Sequence, residues 1–179
     1  MNRANSDPAA QLKAAVRDIP DFPKPGILFK DITPILADPA LFRSAVDLLA
    51  ERHRGRGLRK VAVIDARGFI FGAAVAYQLG AGVVPIRKKG KLPFRTFEET
   101  CELEYGTATL TVHVDAFTPG EPVLLLDDLL ATGGTAAAAA ALIERAGGCI
   151  AEIDFLIELT FLKGRIKLGR HPVFSVIQF

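Results

Sequence analysis

From Lys60 onward, short apolar runs alternate with stretches of helical periodicity. Val61–Ile64 is an unbroken apolar run of strand length, the polar turn Asp65-Ala-Arg-Gly68 follows, and Phe69–Leu79 reads as a helix ended by Gly80. Gly82–Ile86 is the next strand, and a charged loop runs from Arg87 to about Thr100. Glu102–Tyr105 and Thr107–Val114 then alternate. Ala108, Leu110, Val112 and Val114 share one face and Thr107, Thr109, Thr111 and His113 the other, as in a half-exposed ribbon. Val123–Leu126 is apolar at every position, which fits a strand covered on both faces. Thr132–Gly134 is a loop, Thr135–Ala146 a helix ended by Gly147-Gly148, and Ile150–Leu159 and Val173–Phe179 are two further strands. Upstream, Pro8–Asp18 reads as a helix. The prolines of Ile19-Pro-Asp-Phe-Pro-Lys-Pro-Gly26 exclude one there, and Ile27–Ile32 is extended. Asp38-Pro39 opens a helix that buries Phe42, Ala45, Val46 and Leu49. Strands alternating with helices give an α/β class with a mainly parallel central sheet flanked by helices.

Composition narrows the setting more than the chemistry. The 179 residues suit one domain, residues 1–179, and half of them are hydrophobic. A net charge of +2 gives no global attraction for nucleic acid. The basic run Arg52-His-Arg-Gly-Arg-Gly-Leu-Arg-Lys60 lacks interleaved aromatics and is better explained as a helix C-terminus with favourable dipole charges. Cys101 and Cys149 are expected as free thiols, and the polar start Met-Asn-Arg-Ala-Asn-Ser-Asp7 has no apolar signal core. The alanines Ala136–Ala141 and their neighbours stop at Glu144 and Arg145, too short to span a bilayer. A cytoplasmic protein without membrane or nucleic-acid partners is expected. His53, His113 and His171 show no metal-ligand spacing.

The richest segment is Val123-Leu-Leu-Leu-Asp-Asp-Leu-Leu-Ala-Thr-Gly-Gly-Thr135. A buried strand carries Asp127 and Asp128 toward its C-terminal end, where ligands sit in open α/β sheets. Backbone N–H groups of Ala131–Thr135 can converge on an anion because Gly133 and Gly134 permit unusual φ and close approach. The following helix adds its positive N-terminus, and Thr132 and Thr135 add hydroxyl donors. Two acids beside an anion site make sense as acceptors for two sugar hydroxyls. Neither Gly-x-x-x-x-Gly-Lys-Ser/Thr nor Gly-x-Gly-x-x-Gly is present, so ATPase and dinucleotide readings lose support.

Leu126–Thr135 resembles the phosphoribosyl pyrophosphate loop of the type I phosphoribosyltransferases, and its Leu-Leu-Ala form resembles the adenine-using branch of that family. The resemblance extends over nearly the whole chain. It includes Pro20-Asp-Phe-Pro-Lys-Pro-Gly-Ile-Leu-Phe-Lys-Asp-Ile-Thr-Pro34, Ala66-Arg-Gly-Phe69, Ile86-Arg-Lys-Lys-Gly-Lys-Leu-Pro93, Leu103-Glu-Tyr-Gly106 and Glu158-Leu-Thr160. It implies a small hood mainly from about residues 1–36, a mobile β-ribbon loop at about 88–112, and a homodimer. The implied reaction joins adenine to phosphoribosyl pyrophosphate with Mg²⁺, giving AMP and pyrophosphate. By resemblance, Ala131, Thr132, Gly133, Gly134 and Thr135 hold the 5′-phosphate and Asp127 and Asp128 the ribose hydroxyls. Ala66, Arg67, Arg87, Lys88 and Lys91 serve the pyrophosphate, and family members often have a cis peptide at the Asp65-Ala66 turn. No direct protein ligand to Mg²⁺ is expected, the ion being carried mainly by the substrate. The base falls to Phe29 by stacking, to backbone groups of Leu28 and Lys30, and to Leu159 on the other face. A backbone carbonyl accepts from a 6-amino group and not from a 6-oxo group. Relatives that use 6-oxopurines keep an Asp in the phosphate loop where this chain has Ala131. Glu104 is therefore the expected catalytic acid–base group, with Tyr105 closing over the site. Another purine substrate, and a regulator that senses phosphoribosyl pyrophosphate, are the alternatives. A regulator would need a DNA-binding domain or a basic face.

Overall fold

The computed structural model describes residues 7–103 and 106–179. Helix α1 (Pro8–Ala15) begins where the Asp7 carboxylate accepts from the Ala9 N–H at 3.1 Å. It ends three residues earlier than the periodicity predicts, because Arg17–Pro20 (β1) pairs antiparallel with Leu28–Asp31 (β2). The ribbon satisfies backbone groups that a longer helix would have used. A short helix, α2 (Thr33–Ala37), follows; five residues are too few to leave a readable period. In α3 (Pro39–Glu51), the Asp38 side chain accepts from the N–H groups of Ala40 and Leu41 at 2.8 and 3.0 Å, as its sequence predicts.

The remaining elements are β3 (Lys60–Ile64), α4 (Gly68–Leu79), β4 (Gly82–Lys88), β5 (Thr96–Leu103), β6 (Gly106–His113), β7 (Pro122–Leu130), α5 (Gly134–Arg145), β8 (Cys149–Glu158) and β9 (Val173–Gln178), with two 3₁₀ turns, Thr160–Leu162 and Gly164–Leu168, between the last two strands. Seven strands form one sheet in the order β5-β6-β4-β3-β7-β8-β9. β4, β3, β7, β8 and β9 are parallel, and β6 and β5 extend the β4 edge antiparallel. The expected charged loop is shorter than its composition implies: Arg87 and Lys88 belong to β4, and β5 starts at Thr96. Phe97 and Cys101 face the core, but Glu99 between them hides the alternation.

The two faces of the sheet bury separate cores. Val61, Val63, Leu124 and Leu126 pack with α3 and α4, whereas Ala62, Ile64, Val123 and Leu125 pack with α5. Each strand therefore feeds both layers, which is why Val61–Ile64 and Val123–Leu126 are apolar throughout. β3 leads through α4 to β4 on one side, and its other neighbour β7 leads through α5 to β8 on the opposite side. The connections diverge between β3 and β7 and open a crevice at their C-terminal ends. Among the described residues no helix is long and apolar enough to cross a membrane.

α4 lies very close to β3. A Cβ at Gly72 would stand 2.0 Å from Val63 Cγ1, so only glycine permits this approach. Gly72→Ala is expected to destabilise the chain by about 1–3 kcal/mol through overpacking. Val63→Ala should recover part of that loss in the double variant, as read by denaturant melts. Additive effects of the two substitutions would show that the contact is not limiting.

Candidate active site

Three chain segments end at the crevice and enclose a cleft of about 560 Å³. The first is the Asp65–Arg67 turn after β3. Its Asp65–Ala66 peptide is cis, and the Asp65 N–H donates to the Ile86 carbonyl at 3.0 Å. The second is the end of β4 and the turn beyond it, with Arg87, Lys88 and Lys91. Arg87 is held from several sides. Its Nε donates to Asp65 Oδ2 at 3.1 Å, its Nη1 to the Lys91 carbonyl at 3.2 Å, and its own carbonyl accepts from the Thr111 hydroxyl at 3.0 Å. The third segment runs from Asp127 to Thr135. All the cations and acids expected around the pyrophosphate and ribose thus line one cleft, together with Ala66, Ala131, Thr132, Gly133 and Thr135. Gly134 opens α5 directly behind them.

The paired acids are not equivalent. Asp128 is buried and accepts a hydrogen bond from Arg67 Nε across the crevice. Asp127 is half-buried and accepts from the Asp128 N–H at 2.9 Å. Loss of solvent and the neighbouring Asp128 carboxylate push the Asp127 carboxyl well above the ordinary range, against the pull of Arg67. Burial on its own would lower the Arg67 guanidinium, but Asp128, its hydrogen bond and Asp127 raise it overall. Gly68 makes this juxtaposition possible: a Cβ there would lie 2.7 Å from Asp127 Oδ1 and 3.2 Å from the Leu126 carbonyl. Asp65 and Gly68 lie in the turn and motif already marked by the sequence, which gave neither of them this individual role.

The Ala131–Thr135 loop has the expected backbone in part: Gly133 takes φ +81°, whereas Gly134, expected to share that freedom, is the first residue of α5. α5 starts without any side-chain cap, so its first N–H groups face the cleft end unpaired within the helix. Gly164, in the turn after β8, is a further residue the sequence did not flag. A Cβ on it would come within 2.3 Å of the Ala131 carbonyl, and a Cβ on Gly133 within 2.3 Å of the Gly164 carbonyl. The two loops meet backbone to backbone.

The residues expected at the base stand apart from this cleft, just beyond Arg67, whose guanidinium lies 5.8 Å from the Phe29 ring centroid. Phe29 meets Phe22 edge to face at 5.1 Å. Leu28 is half exposed; it and Lys30 are two residues apart on β2 and point their backbone groups to the same side of the ribbon. The Lys30 ammonium sits 4.1 Å above the Phe179 ring, and the Phe179 carbonyl accepts from the Thr160 N–H at 2.9 Å. Phe179 thus links β2 to Thr160, the chain neighbour of Leu159, which is buried and donates its N–H to the Leu130 carbonyl at 2.9 Å. Glu104 and Tyr105 lie outside the described residues. Cys101 lines the cleft with a thiol pushed up by burial; Cys149 is exposed, and both are free.

A separate polar cluster is buried between α3 and β8. His53, Glu152 and Asp154 bring ligand-type atoms within 4.8 Å of one another. Their atoms are largely committed to each other and to arginines. Glu152 accepts from Arg52 and Arg56, Arg56 lies 3.1 Å from His53 Nδ1, and His53 Nε2 is 2.7 Å from Asp154 Oδ2. Burial pushes Glu152 up, but the two arginines hold it below the usual carboxylate range. A cation there would face two guanidinium groups, so the cluster is a charge-balanced tie between α3 and β8 and not an ion site.

Comparison with known proteins gives an independent line. A family model for the phosphoribosyl transferase domain matches residues 31–160. The adenine phosphoribosyltransferase of Roseiflexus sp. (strain RS-1) is 56% identical over 164 residues, which is 92% of this chain and 95% of that protein. Among solved structures, the adenine phosphoribosyltransferase of Rhodothermus marinus DSM 4252 aligns with a TM-score of 0.91 at 51% identity, covering 98% of this chain and 100% of that one. The Saccharomyces cerevisiae adenine phosphoribosyltransferase complexed with D-2,5-dideoxy-2,5-imino-altritol 1,6-bisphosphate and adenine aligns with a TM-score of 0.89 at 42% identity, covering 94% and 98% of the two chains.

The raised Asp127 group opposes folding stability. As pH rises from the ordinary carboxylate range through the raised value, the folded chain gives up a proton that it holds more tightly than the unfolded chain does, so stability falls across that window. Asp127→Asn removes the term. The ligand-free variant is expected to melt higher near neutral pH, on the order of 2–4 °C, with the gap closing toward acid. An unchanged or lower melting temperature at pH 7 would rule this out.

Proposed function

The chain belongs to the phosphoribosyl transferase family, and we infer that within it this enzyme moves the phosphoribosyl group of 5-phosphoribosyl 1-pyrophosphate to N9 of adenine. The products are AMP and pyrophosphate, a purine-salvage reaction. The observation that carries the reading is the single cleft that sets Asp127, Asp128 and the Ala131–Thr135 loop opposite Arg67 and Arg87, in a chain more than half identical to an adenine phosphoribosyltransferase.

Each group has a task that its chemistry suits. The backbone N–H groups and hydroxyls of Ala131–Thr135 receive the 5′-phosphate at the positive end of α5. Asp127 and Asp128 accept from the two ribose hydroxyls, fixing the sugar with C1′ toward the base side. Arg67, Arg87, Lys88 and Lys91, with the Ala66 backbone, take the pyrophosphate, whose charge grows as the C1′–O bond lengthens. Mg²⁺, when bound, neutralises part of that leaving charge. Three carboxylates among four cations, two of them already paired with arginines, suit an ion that arrives on the substrate's own oxygens more than one caged by protein. Adenine stacks on Phe29, presents its edge to backbone groups of Leu28 and Lys30, and is covered by Leu159. Arg67, between Phe29 and Asp128, stands where base and pyrophosphate meet. Glu104 handles the purine proton as N9 attacks, and Tyr105 closes over the site. The enzyme acts in the cytoplasm as a homodimer. Pairing is supported by apolar side chains left exposed on α4 and β4, namely Ile70, Tyr77 and Val83.

With Mg²⁺ and phosphoribosyl pyrophosphate, adenine is expected to release pyrophosphate, and hypoxanthine and guanine are not. Turnover of a 6-oxopurine without adenine turnover would overturn the specificity. Glu104→Leu is expected to lower kcat by about 100-fold or more while phosphoribosyl pyrophosphate affinity changes little. A kcat that stays near the parent value refutes the proton-handling role.

A further inference from the structure

The turn after β8 contains a part-buried salt bridge that the reaction does not use directly. Arg165 Nε and Nη2 donate to Glu158 Oε1 and Oε2 at 2.7 and 2.6 Å. The same guanidinium donates to the Val173 carbonyl at 2.8 Å and to the Ser175 hydroxyl at 3.1 Å, and Ser175 in turn donates to Glu158 at 2.6 Å. Glu158 is nearly fully buried. Its carboxyl is held below the ordinary range first by the Arg165 hydrogen bonds, and Arg165 is raised first by the same bonds. One side chain thereby ties the turn to the end of β8 and to β9.

The residue before Arg165 is Gly164, whose backbone presses against the Ala131 carbonyl and the Gly133 N–H region. These are the atoms behind the anion loop, and α5 offers no side-chain cap of its own to fix them. Leu168, buried at the far end of the same turn, packs in the α5 core and seats its other side. We propose that Arg165 is a positioning residue for 5′-phosphate binding: its fork on Glu158 and β9 holds Gly164 against Ala131 and Gly133 and so fixes the directions of the loop's N–H groups. The proposal rests on the assignment of Ala131–Thr135 to the 5′-phosphate. Lysine cannot replace the fork, because a single ammonium cannot span two carboxylate oxygens, a carbonyl and a hydroxyl in one plane.

Two variants test it. Arg165→Lys keeps a charge beside Glu158 and so avoids a lone buried carboxylate. Gly164→Ala leaves the salt bridge and places a methyl against the Ala131 carbonyl. In both, KM for phosphoribosyl pyrophosphate and Kd for ribose 5-phosphate, measured by calorimetry, are expected to rise about fivefold or more, with KM for adenine within about twofold of the parent. A parent-like Kd for ribose 5-phosphate in Arg165→Lys overturns the proposal. So does a parallel rise of the adenine and phosphoribosyl pyrophosphate constants with a lowered melting temperature, which marks general loosening. The two readings fail separately: the parent protein's failure to turn over adenine would sink the reaction, while ribose 5-phosphate binding would still test the brace.

Discussion

Two adjacent parallel strands whose helices leave on opposite faces cannot have their C-terminal ends covered by either helix. β3 and β7 are such a pair, with α4 on one face of the sheet and α5 on the other. The polar chain that follows each strand therefore has one place to go, the crevice between them, and every charged group of the cleft is delivered by a strand end. The glycines follow from the same constraint. Gly68 lets α4 start against Asp127, Gly72 lets it lie down on β3, and Gly133 lets the anion loop meet the turn after β8. A side chain at any of these positions would push apart segments that the crevice requires to be close.

How much of this could be read from residues alone depended on the kind of signal each element left. β3 and β7 were legible because burial on both faces removes polar residues altogether, and α3 because Asp38-Pro39 marks its start. Of β5 only the end was legible, as part of a ribbon from Glu102; the rest carries Glu98 and Glu99 at the sheet edge, where composition resembles a loop. α2 is too short to show a period, and the β1 ribbon ended α1 early through pairing, which no local pattern reveals. Within the site, the Asp127–Thr135 string and the cations of β4 were readable as chemistry. The pairing of Asp65 with Arg87 and the roles of Gly164 and Arg165 were not, because they arise from contacts across long stretches of chain.

Two charge clusters in the molecule illustrate different uses of burial. Around His53, Glu152 and Asp154 the partners close on themselves and tie α3 to β8. In the cleft, burial is incomplete and the charges are unevenly matched: Asp127 is held against Asp128 with Arg67 shared between them. A folded chain tolerates such a crowded pair only where the surrounding structure fixes it, and this strain is consistent with the proposed task of accepting from two sugar hydroxyls.

The Arg67–Asp128 and Arg87–Asp65 pairs also bear on how a highly anionic substrate reaches the cleft. Two of the cations are already matched by carboxylates, so among the described residues the cleft presents only a small positive excess to the outside, supplied by Lys88 and Lys91. Docking is then an exchange of counter-charges inside the crevice and not capture by a far-reaching field. Encounter rates should accordingly depend only weakly on ionic strength, while the slow term becomes the parting of each arginine from its carboxylate.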